Sequence, residues 1–134
     1  MPTIDYCHDG TEHAYEATTY TLMIYEQEFK GDLIKDVFGR VDLRKAAENI
    51  DDFGNPRYID YTIDNWTAYP RAFWAMLKTS EAIARADGEK PERVPDFVEW
   101  MKLHTRGIDM TELSNTVVAE CNRGLFHAGA ADSD

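Results

Sequence analysis

The sequence predicts an α+β fold in which helices dominate and a small antiparallel β-ribbon or sheet packs against them. Apolar residues recur with a helical period in several segments, while two short stretches rich in Thr, Tyr and Ile alternate with a period of two. Hydrophobic residues make up 43% of the 134 residues, which is enough for one core. We therefore predict one globular domain over residues 17–126, preceded by a loosely ordered segment, 1–16, and followed by a flexible tail, 127–134.

The two alternating stretches are the predicted strands. Residues 17–26 (ATTYTLMIYE) are rich in side chains that suit a pleated sheet. Residues 57–63 (RYIDYTI) alternate strictly and are predicted to pair with them. Because an isolated two-stranded ribbon is only marginally stable, we expect it to pack on helices.

The first helical pattern covers residues 27–38. Its apolar positions form an amphipathic stripe, namely Phe29, Leu33, Ile34, Val37 and Phe38. Gly39 is a suitable stop for that helix. A second short helix is predicted to begin at the capping residue Asp42.

Residues 64–86 contain the longest helical pattern and are predicted to form the central helix. Phe73, Met76, Leu77 and Ile83 form its apolar stripe, which Trp66 and Trp74 widen. Pro70 allows two interpretations, because proline in a helix interior costs about 3 kcal/mol. Either the helix begins near Pro70 after a separate turn, or one longer helix is kinked there. Asp87-Gly88 is predicted to end it.

Two further helices are predicted after a charged linker. Pro95 is placed at the start of the first, Phe97, Trp100 and Met101 give its apolar face, and Arg106-Gly107 ends it. The last helix has an N-terminal capping pattern, with Asp109 as the cap and Glu112 three residues later. Its predicted apolar stripe is Met110, Leu113, Val117, Cys121 and Leu125, with Val118 beside it.

The charge balance limits the classes of partner. The chain has 25 acidic and 14 basic residues, a net charge of −11. Nucleic-acid binding needs a clustered basic face, so we expect no nucleic-acid partner. No apolar run approaches the roughly 18 residues of a transmembrane helix, and the N-terminus is polar, so we expect no membrane association. The two cysteines are expected to be reduced thiols in an intracellular protein.

No residue pattern predicts catalysis, metal binding or a cofactor. Cys7, His8 and His13 do not match a recurring zinc spacing. Cys121 lies on the apolar stripe of the last helix, where free cysteine usually serves as a small buried hydrophobe. The phosphate-binding and hydrolase motifs that can be recognised from sequence do not occur. We therefore expect a protein that is not an enzyme.

Three blocks of the sequence carry a family resemblance. The first comprises Tyr25-Glu-Gln-Glu-Phe29, Asp32-Leu-Ile-Lys-Asp36 and Phe38-Gly-Arg-Val41; the second Asn65-Trp66 and Tyr69-Pro-Arg-Ala-Phe-Trp-Ala-Met-Leu-Lys78; the third Pro95-Asp-Phe-Val-Glu-Trp100, followed by Ile108-Asp-Met110 and Arg123-Gly-Leu-Phe126. Together they resemble the tail assembly chaperones encoded by siphophages and prophages of Gram-positive bacteria. The resemblance spans about residues 18–126. Pro70 departs from it, standing where an ordinary helix former is expected.

The resemblance implies a non-enzymatic role in the cytoplasm of the bacterial host. Such chaperones cover the long helical tape measure protein before the tail tube polymerises around it, so the implied partner is the tape measure protein, with the tail tube protein as a second candidate. We place the partner surface in a groove between the central and final helices, edged by Trp66, Tyr69 and Trp100. Homo-oligomerisation through an exposed strand edge is also compatible with the sequence.

Two other classes of function compete with the chaperone. One is a structural tail or head–tail connector component that stays in the virion. The other is an acidic inhibitor that mimics nucleic acid, which would need its acidic residues clustered along one face.

Overall fold

The computed structural model describes residues 2–38 and 66–126. Their elements, in order, are strands β1 (Thr3–Ile4) and β2 (His13–Ala14), helices α1 (Thr19–Phe29), α2 (Leu33–Phe38), α3 (Ala68–Ala86), α4 (Phe97–His104) and α5 (Met110–Cys121), and a π-helical turn at Asn122–Phe126. The two strands pair antiparallel, so the predicted class of a mainly helical domain with a small β-ribbon is confirmed. The strand predicted at 57–63, the helix predicted from Asp42 and the tail 127–134 lie outside the described residues.

Helix α3 forms the centre of the fold and contacts α1, α2, α4, α5 and β2. Ala72 and Ala75 are fully buried, and their small side chains let neighbouring elements approach closely. Pro70 is the third residue of α3, and the N–H groups of a first turn have no partner within the helix, so proline costs little there. The interpretation in which the helix begins near Pro70, after a turn at Trp66 and Thr67, is the one observed.

The strand predicted over residues 17–26 is wrong, because Thr19–Phe29 forms helix α1. Thr18 caps the helix: its hydroxyl accepts the N–H of Tyr20 at 3.1 Å, and its own N–H donates to the Thr21 hydroxyl at 3.0 Å. Thr21 and Tyr25, one turn apart, are both buried. The Thr21 hydroxyl also lies 2.6 Å from that of Thr79 on α3. Capping and burial against α3 thus override a local preference for strand.

The single helix predicted over residues 27–38 is also wrong, because the chain breaks between α1 and α2. Lys30 ends α1 in the left-handed conformation, with φ +56°. The Asp32 carboxylate accepts the N–H of Ile34 at 3.0 Å and so begins α2. The Tyr25 hydroxyl donates to Asp36 at 2.8 Å and ties the two helices together.

The N-terminal segment packs against the helices, although residues 1–16 were predicted to be loosely ordered. Tyr6 is buried, and its ring meets that of Phe73 edge-on at 5.2 Å. The N–H of Glu16 donates to the carbonyl of Met76 at 3.2 Å. The observed ribbon, β1 and β2, belongs to this segment.

The last two helices follow the predicted pattern closely. Helix α4 begins two residues after Pro95 and ends at His104, and Gly107 takes the positive φ of +83° that turns the chain. The Asp109 carboxylate caps α5 by accepting the N–H groups of Thr111 at 2.8 Å and Glu112 at 3.2 Å. Its buried stripe consists of Leu113, Val117 and Cys121.

Residues 120–124 fasten the end of α5 to the segment before α1. The buried Glu120 carboxylate accepts the N–H of Ala17 at 2.8 Å and two hydrogen bonds from the Arg123 guanidinium. Gly124 lies directly against Ala17, because a Cβ placed on Gly124 would be 2.0 Å from the Ala17 carbonyl oxygen.

Candidate functional site

The three residues predicted to edge a partner groove do not lie on one surface. Trp66 is 51% exposed, and its ring centroid is 6.1 Å from that of Tyr69, which is 9% exposed. Trp100 is 1% exposed. The placement of Trp100 at the edge of a groove is therefore wrong, while Trp66 and Tyr69 do form a pair at the start of α3.

Trp100 belongs to an aromatic core cluster. Its indole N–H donates to the Tyr6 hydroxyl at 3.0 Å, and its ring lies 6.2 Å from that of Phe73. Burial raises the pKa of Tyr6 to about 12, against the opposing effect of the bond from Trp100. Tyr6 therefore stays neutral at physiological pH and acts as a buried acceptor. The apolar pattern of α4 correctly predicted that Trp100 packs against the core, but nothing in the sequence indicated that Tyr6 is buried beside it.

A second aromatic cluster joins the three blocks on which the family resemblance rests. Phe29 comes from the first block, Trp74 from the second and Phe97 from the third. Their ring centroids lie 5.7 Å (Phe29–Trp74), 4.8 Å (Phe29–Phe97) and 5.8 Å (Trp74–Phe97) apart, all edge-on. The Trp74 indole N–H also donates to the carbonyl of Pro95 at 2.8 Å. One residue from each block thus packs against residues of the other two, so the three blocks contribute to a single cluster.

Several large apolar side chains remain exposed on the helices. On α4, Val98 and Leu103 are 63% and 61% exposed. Val98 lies one turn before Lys102, and Glu99 lies one turn before Leu103, and all four side chains are exposed. The other large exposed apolar residues in the described part of the chain are Tyr20, Met23, Trp66 and Phe126. Sequence reasoning missed Val98 and Leu103 because it followed the buried stripe of α4 and not the residues beside it.

Neither thiol has the environment of a reactive cysteine. Burial, and secondarily the Glu120 carboxylate, raises the pKa of Cys121 to about 12. Cys7 is half-buried, and its thiol donates to the carbonyl of His104 at 2.8 Å. Burial, with the carboxylates of Asp9 and Asp5, raises its pKa as well. Because the thiolate is the nucleophile, both sulfur atoms are poorly suited to attack. Cys121 is a core residue, as predicted.

The N-terminal histidines and cysteine do not converge. His8 lies 3.3 Å from the Glu112 carboxylate, and the ring centroid of His13 lies 4.8 Å from that of Tyr6, with the two rings tilted by 41°. Within residues 2–38 and 66–126, no three His, Cys, Asp or Glu side chains are arranged to hold a metal ion. Over the same ranges, no helix is both long and apolar enough to cross a membrane.

No known protein family, curated protein or solved structure matches the chain.

Proposed function

We propose that this protein is a non-enzymatic tail assembly chaperone that binds the tape measure protein during siphophage tail morphogenesis in the bacterial host cytoplasm. The observation that carries the proposal is the Phe29, Trp74 and Phe97 cluster. The three residues come from the three sequence blocks that resemble this family. Blocks that define one fold are expected to contact one another, and these do.

The chemistry of the surface supports the same role. A tape measure protein exposes long apolar helical faces that aggregate unless they are covered. The exposed Val98 and Leu103 on α4, and Trp66 before α3, offer apolar contacts that such a face can use. The net charge of −11 keeps a protein with exposed apolar side chains soluble.

Co-expression with the tape measure protein encoded in the same phage tests the proposal. The wild-type chain is expected to raise the fraction of tape measure protein that stays in the supernatant after centrifugation. Unchanged aggregation in the presence of the folded wild-type chain would contradict the proposed function.

Variants in the same assay test which surface is used. Trp66→Ala and the double variant Val98→Ser/Leu103→Ser remove exposed apolar contacts and are expected to lower the soluble fraction. Glu99→Gln/Lys102→Gln changes exposed polar residues of α4 and serves as the matched control. If only the control lowers solubility, the contact is electrostatic and the apolar assignment fails.

Purified tails separate a chaperone from a component that stays in the virion. Mass spectrometry is expected to find the tape measure protein in finished tails and this protein absent from them. Stoichiometric retention would favour the structural tail or connector role instead.

A further inference from the structure

A groove with acidic edges lies on the side of the fold formed by β2, the second half of α3 and the linker between α3 and α4. It encloses about 470 Å³. Its apolar floor includes Leu77 and Ala84 on α3 and Val94 in the linker. A volume of this size is in the range that accommodates several side chains of a ligand.

The edges of the groove carry an excess of negative charge. Four glutamates line it, together with Lys90 and His13, namely Glu12, Glu81, Glu89 and Glu92. Glu81 is already paired, since its carboxylate lies 3.3 Å from Lys78 and 3.8 Å from Arg85.

The other three glutamates remain available. Glu12, Glu89 and Glu92 are exposed and form no ion pair within residues 2–38 and 66–126. Among the described residues, three unpaired carboxylates and one ammonium group, that of Lys90, therefore surround the apolar floor, which leaves a net negative charge at its edge.

The linker wall of the groove is fixed in place. The N–H of Val94 donates to Glu81 at 2.6 Å, and the carbonyl of Pro95 accepts from Trp74 at 2.8 Å. The Arg85 guanidinium donates to the carbonyl of Pro91 at 3.4 Å. Two prolines further restrict this wall. A groove that is formed before its ligand arrives loses less conformational entropy on binding.

From this combination we infer that the groove binds a basic segment of a protein partner, with Lys or Arg side chains against the three free glutamates and an aliphatic side chain on the Leu77–Ala84 floor. Charge complementarity selects the occupant. A second copy of this chain is disfavoured, because its net charge of −11 repels the same acidic edge. The assignment goes beyond the proposed function, since it holds whether or not the partner is a tape measure protein.

Two synthetic amphipathic peptides of equal length provide the test. They share one pattern of Leu and Ala, and one has Lys where the other has Glu. In ¹H–¹⁵N spectra of the full chain, the Lys peptide is expected to shift the amides of Glu12, His13, Leu77, Ala84 and Val94, and the Glu peptide is not. Equal shifts from both peptides, or shifts confined to another surface, would overturn the assignment.

Charge-reversal variants separate the groove from net charge alone. The triple variant Glu12→Lys/Glu89→Lys/Glu92→Lys is expected to lower the affinity for the Lys peptide by about tenfold. The matched control Glu26→Lys/Glu28→Lys/Glu99→Lys changes exposed glutamates elsewhere by the same net charge and is expected to have a much smaller effect. Equal losses in both triple variants would refute a localised site.

Two further measurements complete the design. If the triple lysine variant loses the dispersed ¹H–¹⁵N spectrum of a folded protein, the triple variant with glutamine at the same three positions is used in its place. Spermidine serves as a competitor with charge but no peptide backbone. If spermidine displaces the peptide at equal concentration, the groove is a small-cation site and the inference of a protein segment is wrong. Dimerisation that these glutamates control would equally contradict it.

Discussion

Gly124→Ala is expected to destabilise the protein because it separates the C-terminal turn from the start of α1. A Cβ at position 124 would lie 2.0 Å from the Ala17 carbonyl oxygen and 3.0 Å from its carbonyl carbon. Cβ atoms essentially never approach a neighbour closer than 3.0 Å, so the two segments must move apart by about 1 Å (3.0 − 2.0). Ala17 cannot move freely, since it is buried and its N–H is held by Glu120 at 2.8 Å.

The magnitude follows from two opposing effects. Inserting a methyl group into a packed region costs about 1–3 kcal/mol, and a contact this close places the cost near the upper end. Replacing glycine by alanine in helical backbone returns about 0.5–1 kcal/mol. We therefore expect a net loss of about 2 kcal/mol in the free energy of unfolding.

Urea denaturation followed by tryptophan fluorescence and far-ultraviolet circular dichroism measures this loss. Gly88→Ala is the matched control, because a Cβ there meets nothing within 4 Å and only the positive φ of +84° is strained. That strain costs about 1 kcal/mol. If Gly124→Ala is no less stable than the wild type, the turn at Asn122–Phe126 does not rest on Ala17 and the reasoning fails.

Three other perturbations have defined outcomes. Burial raises the pKa of Tyr6 to about 12 from its ordinary 10.0, so its contribution to stability is complete below pH 10 and is lost as the pH rises towards 12. Tyr6→Phe removes the hydrogen-bond acceptor of Trp100 and should flatten the fall in the free energy of unfolding between pH 10 and 12, measured by urea titration; an unchanged slope contradicts the assignment. Lys30→Gly relieves a left-handed φ of +56° and should raise the unfolding free energy by about 1 kcal/mol in the same assay; a value at or below that of the wild type contradicts this prediction. Iodoacetamide should modify the half-buried Cys7 before the fully buried Cys121, as peptide mass mapping would show, and the reverse order would contradict the burial of Cys121.

Helix caps and apolar stripes were the predictable part of the fold. Asp109 three residues before Glu112 located the start of α5, and Asp87-Gly88 located the end of α3. These signals succeed because capping bonds form within a few residues and depend little on the rest of the chain.

Elements decided by distant contacts were predicted poorly. Residues 17–26 have the composition of a strand, yet the buried faces of Thr21 and Tyr25 and the contact with Thr79 make them helical. The spacing of Thr18 and Thr21 was the local signal that could have indicated a cap. Propensity for strand is a weak preference that packing overrides.

The candidate site was only partly predictable for the same reason. Trp66 could be recognised as an aromatic residue outside the main stripe, and it is exposed. The apolar face of α4 indicated that Trp100 packs inward, but its hydrogen bond to Tyr6, 94 positions away, could not be read from the sequence. The acidic groove combines residues from three separate segments, and no spacing in the sequence brings Glu12 near Glu89 and Glu92.

The bond between Glu120 and Ala17 also affects the order in which the chain can fold. It joins residues 103 positions apart, so closing it requires nearly the whole described chain. Contacts between residues so far apart in the sequence form late in folding, because closing the loop costs conformational entropy before the contact adds any stability. During synthesis, α1 leaves the ribosome long before Glu120 has been made, so the N–H of Ala17 lacks this partner until then. We therefore expect the fold to become cooperative only when α5 has been made, which makes the final helix the step that completes the domain.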